Sequence, residues 1–186
     1  YKIMRFGDMQ LTEQVRNALN QVLQNAANEQ LNTIYQTAKQ KEQAADANRQ
    51  QAKALASPAQ SSDAFIRAGE GYAKAAAAYK TIPEYLDAAD RCQCCSQNAK
   101  DCAQQAQYIL AKAAMASNTI PGYQAAIIGF QKIPGWRDAD ELLCTCQRLL
   151  QEELNRQEQA KKKMYLHNKK RKRRNCRDLS DQRRAV

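Results

Sequence analysis

The sequence predicts an all-α protein built around a short array of helical hairpins, because it contains an internal duplication with helical periodicity. Residues 72–95 align without a gap with residues 123–146, at an offset of 51 residues. Each copy carries apolar side chains at helical spacing and an Ile-Pro pair that interrupts the helix. A fixed internal period of this kind is typical of stacked helical units. The identical positions are Tyr72/Tyr123, Ala75/Ala126, Ile82/Ile133, Pro83/Pro134, Asp87/Asp138, Ala88/Ala139 and Cys95/Cys146.

Within each copy the pattern predicts a short helix, a proline turn and a longer helix. In the first copy, Tyr72 and Tyr79 lie seven residues apart and therefore on one side of the first helix. Pro83 ends that helix, because the residue before a proline is pushed out of the α region. Pro83 or Glu84 is predicted to open the next helix. Asp87 is then expected in its first turn, where the helix dipole favours a carboxylate.

The second copy resembles the tetratricopeptide-like hairpin repeats that are common in bacterial proteins. Residues 130–146 fit the pattern F-x-x-I-P-G-W-R-D-A-D-E-L-L-x-x-C, and Tyr123 and Ala126 fit the preceding helix. The resemblance covers residues 63–160 and implies a packing unit, not an activity, since such repeats host many functions. The period is about fourteen residues longer than repeats of ~34 to 40 residues. We expect the extra length, about four helical turns, inside the long helix of residues 95–117.

The N-terminal part predicts an amphipathic helical region whose other side is rich in Gln and Asn. We interpret residues 9–55 as two helices or one long bent helix, serving as a cap or a degenerate repeat. A coiled-coil stalk is the alternative. The pair Tyr35 and Ala38 resembles the start of a repeat, although no Ile-Pro pair follows it. After the break that follows, Ser61 or Ser62 is predicted to cap the next helix.

Composition divides the chain into three segments. Residues 1–60 form the N-terminal helical region, and residues 61–160 contain the two hairpins with cores at 72–95 and 123–146. Residues 161–186 form a basic tail with 12 Lys/Arg and 2 Asp/Glu, whereas the two signs balance in the rest of the chain. The whole net charge of +10 therefore belongs to the tail.

The basic tail is the one segment whose composition points to a polyanionic partner. Its lysines and arginines can neutralise phosphates of RNA or DNA, with strong salt dependence. They can equally contact an anionic membrane surface, and a disordered solubilising tail is the alternative without a partner. The candidate contact residues are Lys161, Lys162, Lys163, Lys169, Lys170, Arg171, Lys172, Arg173 and Arg174.

The seven cysteines do not have the spacing of a structural zinc site. Cys-x-Cys inside a helix directs its two thiols to nearly opposite sides. We interpret Cys92, Cys95 and Cys102 as small buried side chains on the apolar stripe of the hairpin. Cys94 and Cys144 lie off that stripe and are expected as exposed thiols. The odd count, without a secreted disulfide framework, favours a reducing cytoplasm.

Support for catalysis is slight. The only histidine, His167, lies in the basic tail. The sequence has no glycine-rich phosphate loop and none of the common hydrolase motifs. The aromatic side chains at the repeat positions, among them Tyr79 and Trp136, are expected to pack between the helices.

These observations predict a cytoplasmic, non-enzymatic scaffold without cofactor or metal. The groove between stacked hairpins would hold a protein or peptide partner. Nucleic acid or an anionic membrane is the alternative partner, through the tail. Two hairpins are fewer than the roughly three that a stable array needs. Either the N-terminal helices complete the core, or the chain associates with itself.

Overall fold

A computed structural model describes the backbone of residues 2–184 and the side chains of residues 12–170. The helices are α1 (Lys2–Ala54), α2 (Pro58–Tyr79), α3 (Ala88–Ala116), α4 (Ile120–Gln131) and α5 (Ala139–Arg184). The described residues contain no strand, so the predicted all-α class is confirmed. In this part of the chain, no helix combines the length and the apolar character that crossing a bilayer requires.

Two compact units divide the chain, residues 1–106 and residues 107–186. The first contains α1, α2 and most of α3, and the second contains the end of α3 with α4 and α5. α1 is one continuous helix, so the two-helix interpretation of residues 9–55 is wrong. α3 is likewise unbroken, as expected for the extra length of the repeat.

α1 and α2 pack against each other through small side chains. Ala38, Ala45 and Ala52 recur every seven residues along α1 and are at most 1% exposed. A Cβ atom added to Gly71 of α2 would lie 2.9 Å from the Cβ of Ala45. The Ser61 hydroxyl donates to the carbonyl of Ala52 at 2.8 Å. The two backbones therefore approach more closely than large side chains would allow.

The first part of α3 completes the core of residues 1–106. Its Ala88, Cys95 and Cys102 again lie seven residues apart and are at most 1% exposed. A Cβ on Gly69 of α2 would lie 3.3 Å from the carbonyl oxygen of Ala99 in α3. Both glycines of α2 thus lie where a neighbouring helix comes close.

The predicted start of α2 is wrong. α2 begins at Pro58, with Ser57 as the N-cap residue in an extended conformation. Proline suits this position, because its missing N–H needs no partner in the first helical turn. Ser61 and Ser62 are buried inside the helix instead of capping it. The Ser62 hydroxyl donates to the carbonyl of Ala106 in α3 at 3.3 Å.

The two proline turns have the same backbone structure. Five backbone hydrogen bonds recur at the offset of 51 residues. Leu86 and Arg137, at equivalent positions, both have positive φ, 51° and 53°. In the first turn the bonds run from the N–H groups of Thr81, Ile82, Tyr85, Ala88 and Arg91 to the carbonyls of Ala78, Tyr79, Ile82, Tyr85 and Asp87. The duplicated residues therefore encode one local structure twice.

The positive φ of Leu86 and Arg137 explains why the predicted helix starts are wrong. α3 begins at Ala88, not at Pro83 or Glu84, and α5 begins at Ala139, the equivalent position of the second copy. A residue with positive φ cannot continue an α-helix, so the helix starts only after it. Asp87 and Asp138 accordingly precede the two helices and do not lie inside their first turns.

The second unit has its own small core. It consists of Tyr108, Ala111, Ala126, Phe130, Ile133, Ala139 and Cys146, with half-buried Trp136 and Leu143 against it. α4 begins at Ile120, three residues before the predicted start, because the Thr119 hydroxyl accepts the Gly122 N–H at 3.1 Å. This N-cap satisfies one of the N–H groups that lack a partner inside the helix.

We expect Gly71→Leu to lower the free energy of unfolding by about 1–3 kcal/mol, the usual cost of overpacking. The added side chain would collide with Ala45, which has no space to yield. Urea denaturation measures the change. Ala47→Leu on the exposed side of α1 is the matched control, with an expected change below about 0.5 kcal/mol. Equal losses in both variants would contradict the close contact of α1 and α2.

Candidate functional site

One tyrosine–aspartate hydrogen bond joins each of the two proline turns to the helix that precedes its hairpin. The Tyr35 hydroxyl donates to Oδ1 of Asp87 at 2.6 Å. The Tyr108 hydroxyl donates to Oδ1 of Asp138 at 2.5 Å. These hydrogen bonds hold the pKa of both aspartates below the ordinary carboxyl value, and nearby cations such as Arg91 add to the effect.

The sequence analysis found the aspartates but not their tyrosine partners. A signal was present, because Tyr35-x-x-Ala38 and Tyr108-x-x-Ala111 are the same motif ahead of each hairpin. The motif at Tyr35 was identified as resembling the start of a repeat, whereas the motif at Tyr108 lies within the long α3 helix. The distance of the two tyrosines from their aspartates differs, 52 and 30 residues, so no fixed period connects them.

A polar network surrounds the Tyr35 pair in the first unit. Glu42 of α1 accepts from the Tyr79 hydroxyl and from the Arg91 guanidinium, both at 2.9 Å. Arg91 also donates to Asp87 at 2.8 Å, and its guanidinium lies 6.0 Å from the centre of the Tyr35 ring. Each carboxylate has a tyrosine or arginine partner, so the network links α1 and α2 to the start of α3 through hydrogen bonds.

The surface with the clearest potential for binding is an open groove between α2 and α3. Its volume is about 330 Å³, and its walls are mostly apolar. Six of the seven lining residues have small side chains, and the seventh is a lysine at the end of α2. The lining residues are Ala73, Ala76, Ala77 and Lys80 of α2 with Cys92, Ser96 and Ala99 of α3. A second helix can approach such a surface closely.

This groove lies between the two helices of one hairpin, so it is not the groove predicted between stacked hairpins, which stays a prediction. One of its residues, Cys92, was assigned differently from the sequence. Cys92 was expected in the buried stripe with Cys95 and Cys102, which are buried. It is only half-buried, because it faces the groove. Cys94 and Cys144 are exposed, as predicted. Burial raises the pKa of the Cys95 thiol to about 12, which leaves it protonated and unreactive.

The basic residues lie on α5, which continues through the tail to Arg184. Lys161, Lys163, Lys169 and Lys170 are exposed, and Lys162 pairs with Glu158 at 2.7 Å. Successive residues are about 100° apart around a helix, so these five lysines are spread over about 200° of the circumference of α5. His167 is exposed among them. The remaining candidates, Arg171, Lys172, Arg173 and Arg174, lie outside the described side chains.

No protein-family model, curated protein sequence or solved structure matches this chain. The resemblance of residues 130–146 to tetratricopeptide-like repeats therefore stays a prediction. The function has to be argued from the surfaces that the helices leave uncovered. Within the described side chains, no group of three or more His, Cys, Asp or Glu residues is placed to hold a metal ion.

The surroundings of the Tyr79 hydroxyl predict how the stability of the protein changes at alkaline pH. Burial and the hydrogen bond to Glu42 raise the pKa of Tyr79 above its ordinary value of 10.0. A raised tyrosine pKa stabilises the folded state fully below the ordinary value, and this contribution is lost as pH rises through the folded-state pKa. We therefore expect the stability of the wild-type protein to fall more steeply above pH 10.0 than that of Tyr79→Phe.

Urea denaturation over a series of alkaline pH values measures this difference. Tyr165→Phe is the matched control, because Tyr165 is exposed on α5, and it should follow the wild-type curve. Parallel curves for the wild-type protein and Tyr79→Phe would show that the Tyr79 hydroxyl ionises as readily in the folded state as in the unfolded state.

Proposed function

We propose that this chain is a non-enzymatic interaction scaffold built from tetratricopeptide-like hairpins. Its binding site is the groove between α2 and α3, and the partner is a protein that presents a helix. The observation that supports this is the row of small apolar side chains that no other described element covers.

The shape of the groove suits a helix better than an extended peptide. Ala73, Ala77 and Lys80 are spaced four and three along α2, and Cys92, Ser96 and Ala99 are spaced four and three along α3. Two parallel rows with helical spacing accept large side chains at positions i, i+3, i+4 and i+7 of a docked helix. The small side chains of the groove allow the backbone of the docked helix to come close. The contact removes apolar surface from water, which stabilises the complex by about 25 cal/mol per Å².

The walls are also preformed, which lowers the cost of binding. Ser62 bonds to the α3 backbone at one end of the α2/α3 pair, and Arg91 holds α3 to α1 at the other. The identical proline turns and the recurring tyrosine–aspartate pairs support two copies of one unit, which the proposal treats as an array with α1 as its N-terminal cap. The free cysteines favour a cytoplasmic location.

We expect Ala73→Glu to reduce capture of helical protein partners at least tenfold, since a carboxylate in the groove would be buried without a partner. The wild-type and variant chains serve as baits in a lysate treated with nuclease at high salt, with captured proteins quantified by mass spectrometry. Ala47→Glu places the same charge on the exposed side of α1 and should capture as the wild-type chain does. A set of partners that is unchanged by Ala73→Glu would exclude the groove as the binding site.

A second candidate function is binding of nucleic acid through α5. The exposed lysines, which are spread over about half of the circumference of this helix, favour it, because they can contact successive phosphates of a strand that lies against them. Replacing Lys161, Lys163, Lys169 and Lys170 by Gln should weaken binding to single-stranded RNA. The slope of log K against log salt should become shallower by about 3.

Fluorescence anisotropy with a labelled oligonucleotide measures both quantities, and Ala73→Glu serves as the control that retains the lysines. Unchanged binding by the fourfold Gln variant would exclude this function. Binding of the wild-type chain to anionic vesicles, without binding to RNA, would favour the membrane alternative.

A further inference from the structure

α1 extends far beyond the helices against which it packs. Its contacts run from Ala52, beside Ser61 of α2, to Glu42, beside Tyr79 at the end of α2. About two turns further on, Tyr35 reaches the proline turn. Residues 12–30 are all exposed, and they continue the helix past the turn by about 28 Å, at 1.5 Å per residue.

This projecting segment carries an apolar stripe that no described residue covers. Val15, Leu19 and Val22 are spaced four and three, so they share one side, and they are 57–63% exposed. At about 100° per residue, Val22 lies about 140° around the helix from Ala45, which faces α2. Val15 lies about 120° and Leu19 about 80° from Ala45 by the same measure, so the stripe is not a continuation of the side that packs in the core.

We propose that this stripe docks in the groove between α2 and α3 of a second copy of the chain. The inference rests on the proposed function of the groove and names its occupant. The occupant cannot be the same copy, because α1 is one continuous helix and its projecting segment points away from its own groove.

The stripe and the groove match in length and in the size of their side chains. On α2 the groove is lined from Ala73 to Lys80, and Ile66, which is 42% exposed, lies on the same side seven residues earlier. On α1, Glu29 lies on the same side as the stripe, seven residues after Val22. Val15 and Glu29, like Ile66 and Lys80, are thus 14 positions apart, about 21 Å of helix. The stripe has large side chains, and the groove has alanines between which these side chains can insert.

Charge defines the direction of the docked helix. With the two helices parallel, Val15 lies beside Ile66, Val22 lies beside Ala73, and the carboxylate of Glu29 meets the ammonium of Lys80. Both charged side chains are exposed, and neither forms an ion pair in the described structure. The opposite direction would leave Lys80 beside Val15 and Glu29 beside Ile66.

Each copy holds one stripe and one groove, so the contact joins two different surfaces. A pair of copies that exchange both segments closes as a dimer, whereas one-way docking gives an open chain of copies. The exchange also doubles the buried area, which helps a short groove to reach the roughly 1,600 Å² of a specific interface.

The test is sedimentation velocity of the full chain over a range of concentrations. We expect the wild-type chain to dimerise and Leu19→Asp to remain monomeric. Ala73→Glu should also remain monomeric. Glu29→Lys and Lys80→Glu should each raise the dissociation constant about three- to fivefold, and the double variant should restore it. Glu13→Lys, a charge reversal outside the stripe, is the matched control and should dimerise like the wild-type chain.

A chain that is monomeric at every concentration would overturn the proposal. So would dimerisation that Leu19→Asp abolishes but Ala73→Glu and Lys80→Glu leave intact, since the stripes would then pack against each other as a coiled coil. Either result leaves the proposed function open to its own test, because the effect of Ala73→Glu on partner capture is measured separately. Circular dichroism of each variant confirms that the helices are retained.

Discussion

The rest of the first unit depends on the close contact between α1 and α2. Gly71 and Ala45 bring the two backbones together, and the small residues above and below them keep the helices in contact over several turns. This proximity lets Tyr79 reach Glu42 and lets Ser61 reach the carbonyl of Ala52. α3 packs against this pair, and the groove lies between α2 and α3.

The structure has two cores with different chemistry. In the first, long polar side chains of α1 alternate with alanines, so hydrogen bonds from buried tyrosines accompany the apolar packing. In the second, Phe130, Ile133 and half-buried Trp136 supply volume around the end of α3. The same proline turn and the same tyrosine–aspartate pair occur in both. Local structure was thus duplicated more faithfully than the packing around it.

The sequence predicted what depends on local spacing. The proline turns, the unbroken α3 helix and the exposure of Cys94 and Cys144 all follow from residue patterns. The start of α3 was missed, because Leu86 adopts positive φ although its type does not favour it. The start of α2 was missed because several serines near Pro58 have the chemistry of a cap. The groove between α2 and α3 was not predicted, since its residues come from two helices of one hairpin whose alignment depends on long-range contacts.

Small side chains that repeat every seven residues along two helices explain why alanine and cysteine occupy equivalent buried positions. Ala38, Ala45 and Ala52 occupy one row, whereas Ala88, Cys95 and Cys102 occupy another of the same kind. A thiol here fills the space of a slightly larger alanine, so the two residues are nearly exchangeable in volume. The narrow spacing of the helices therefore accounts for Cys95 and Cys102 as substitutes for alanine, whereas the exposed Cys94 and Cys144 fill no such space.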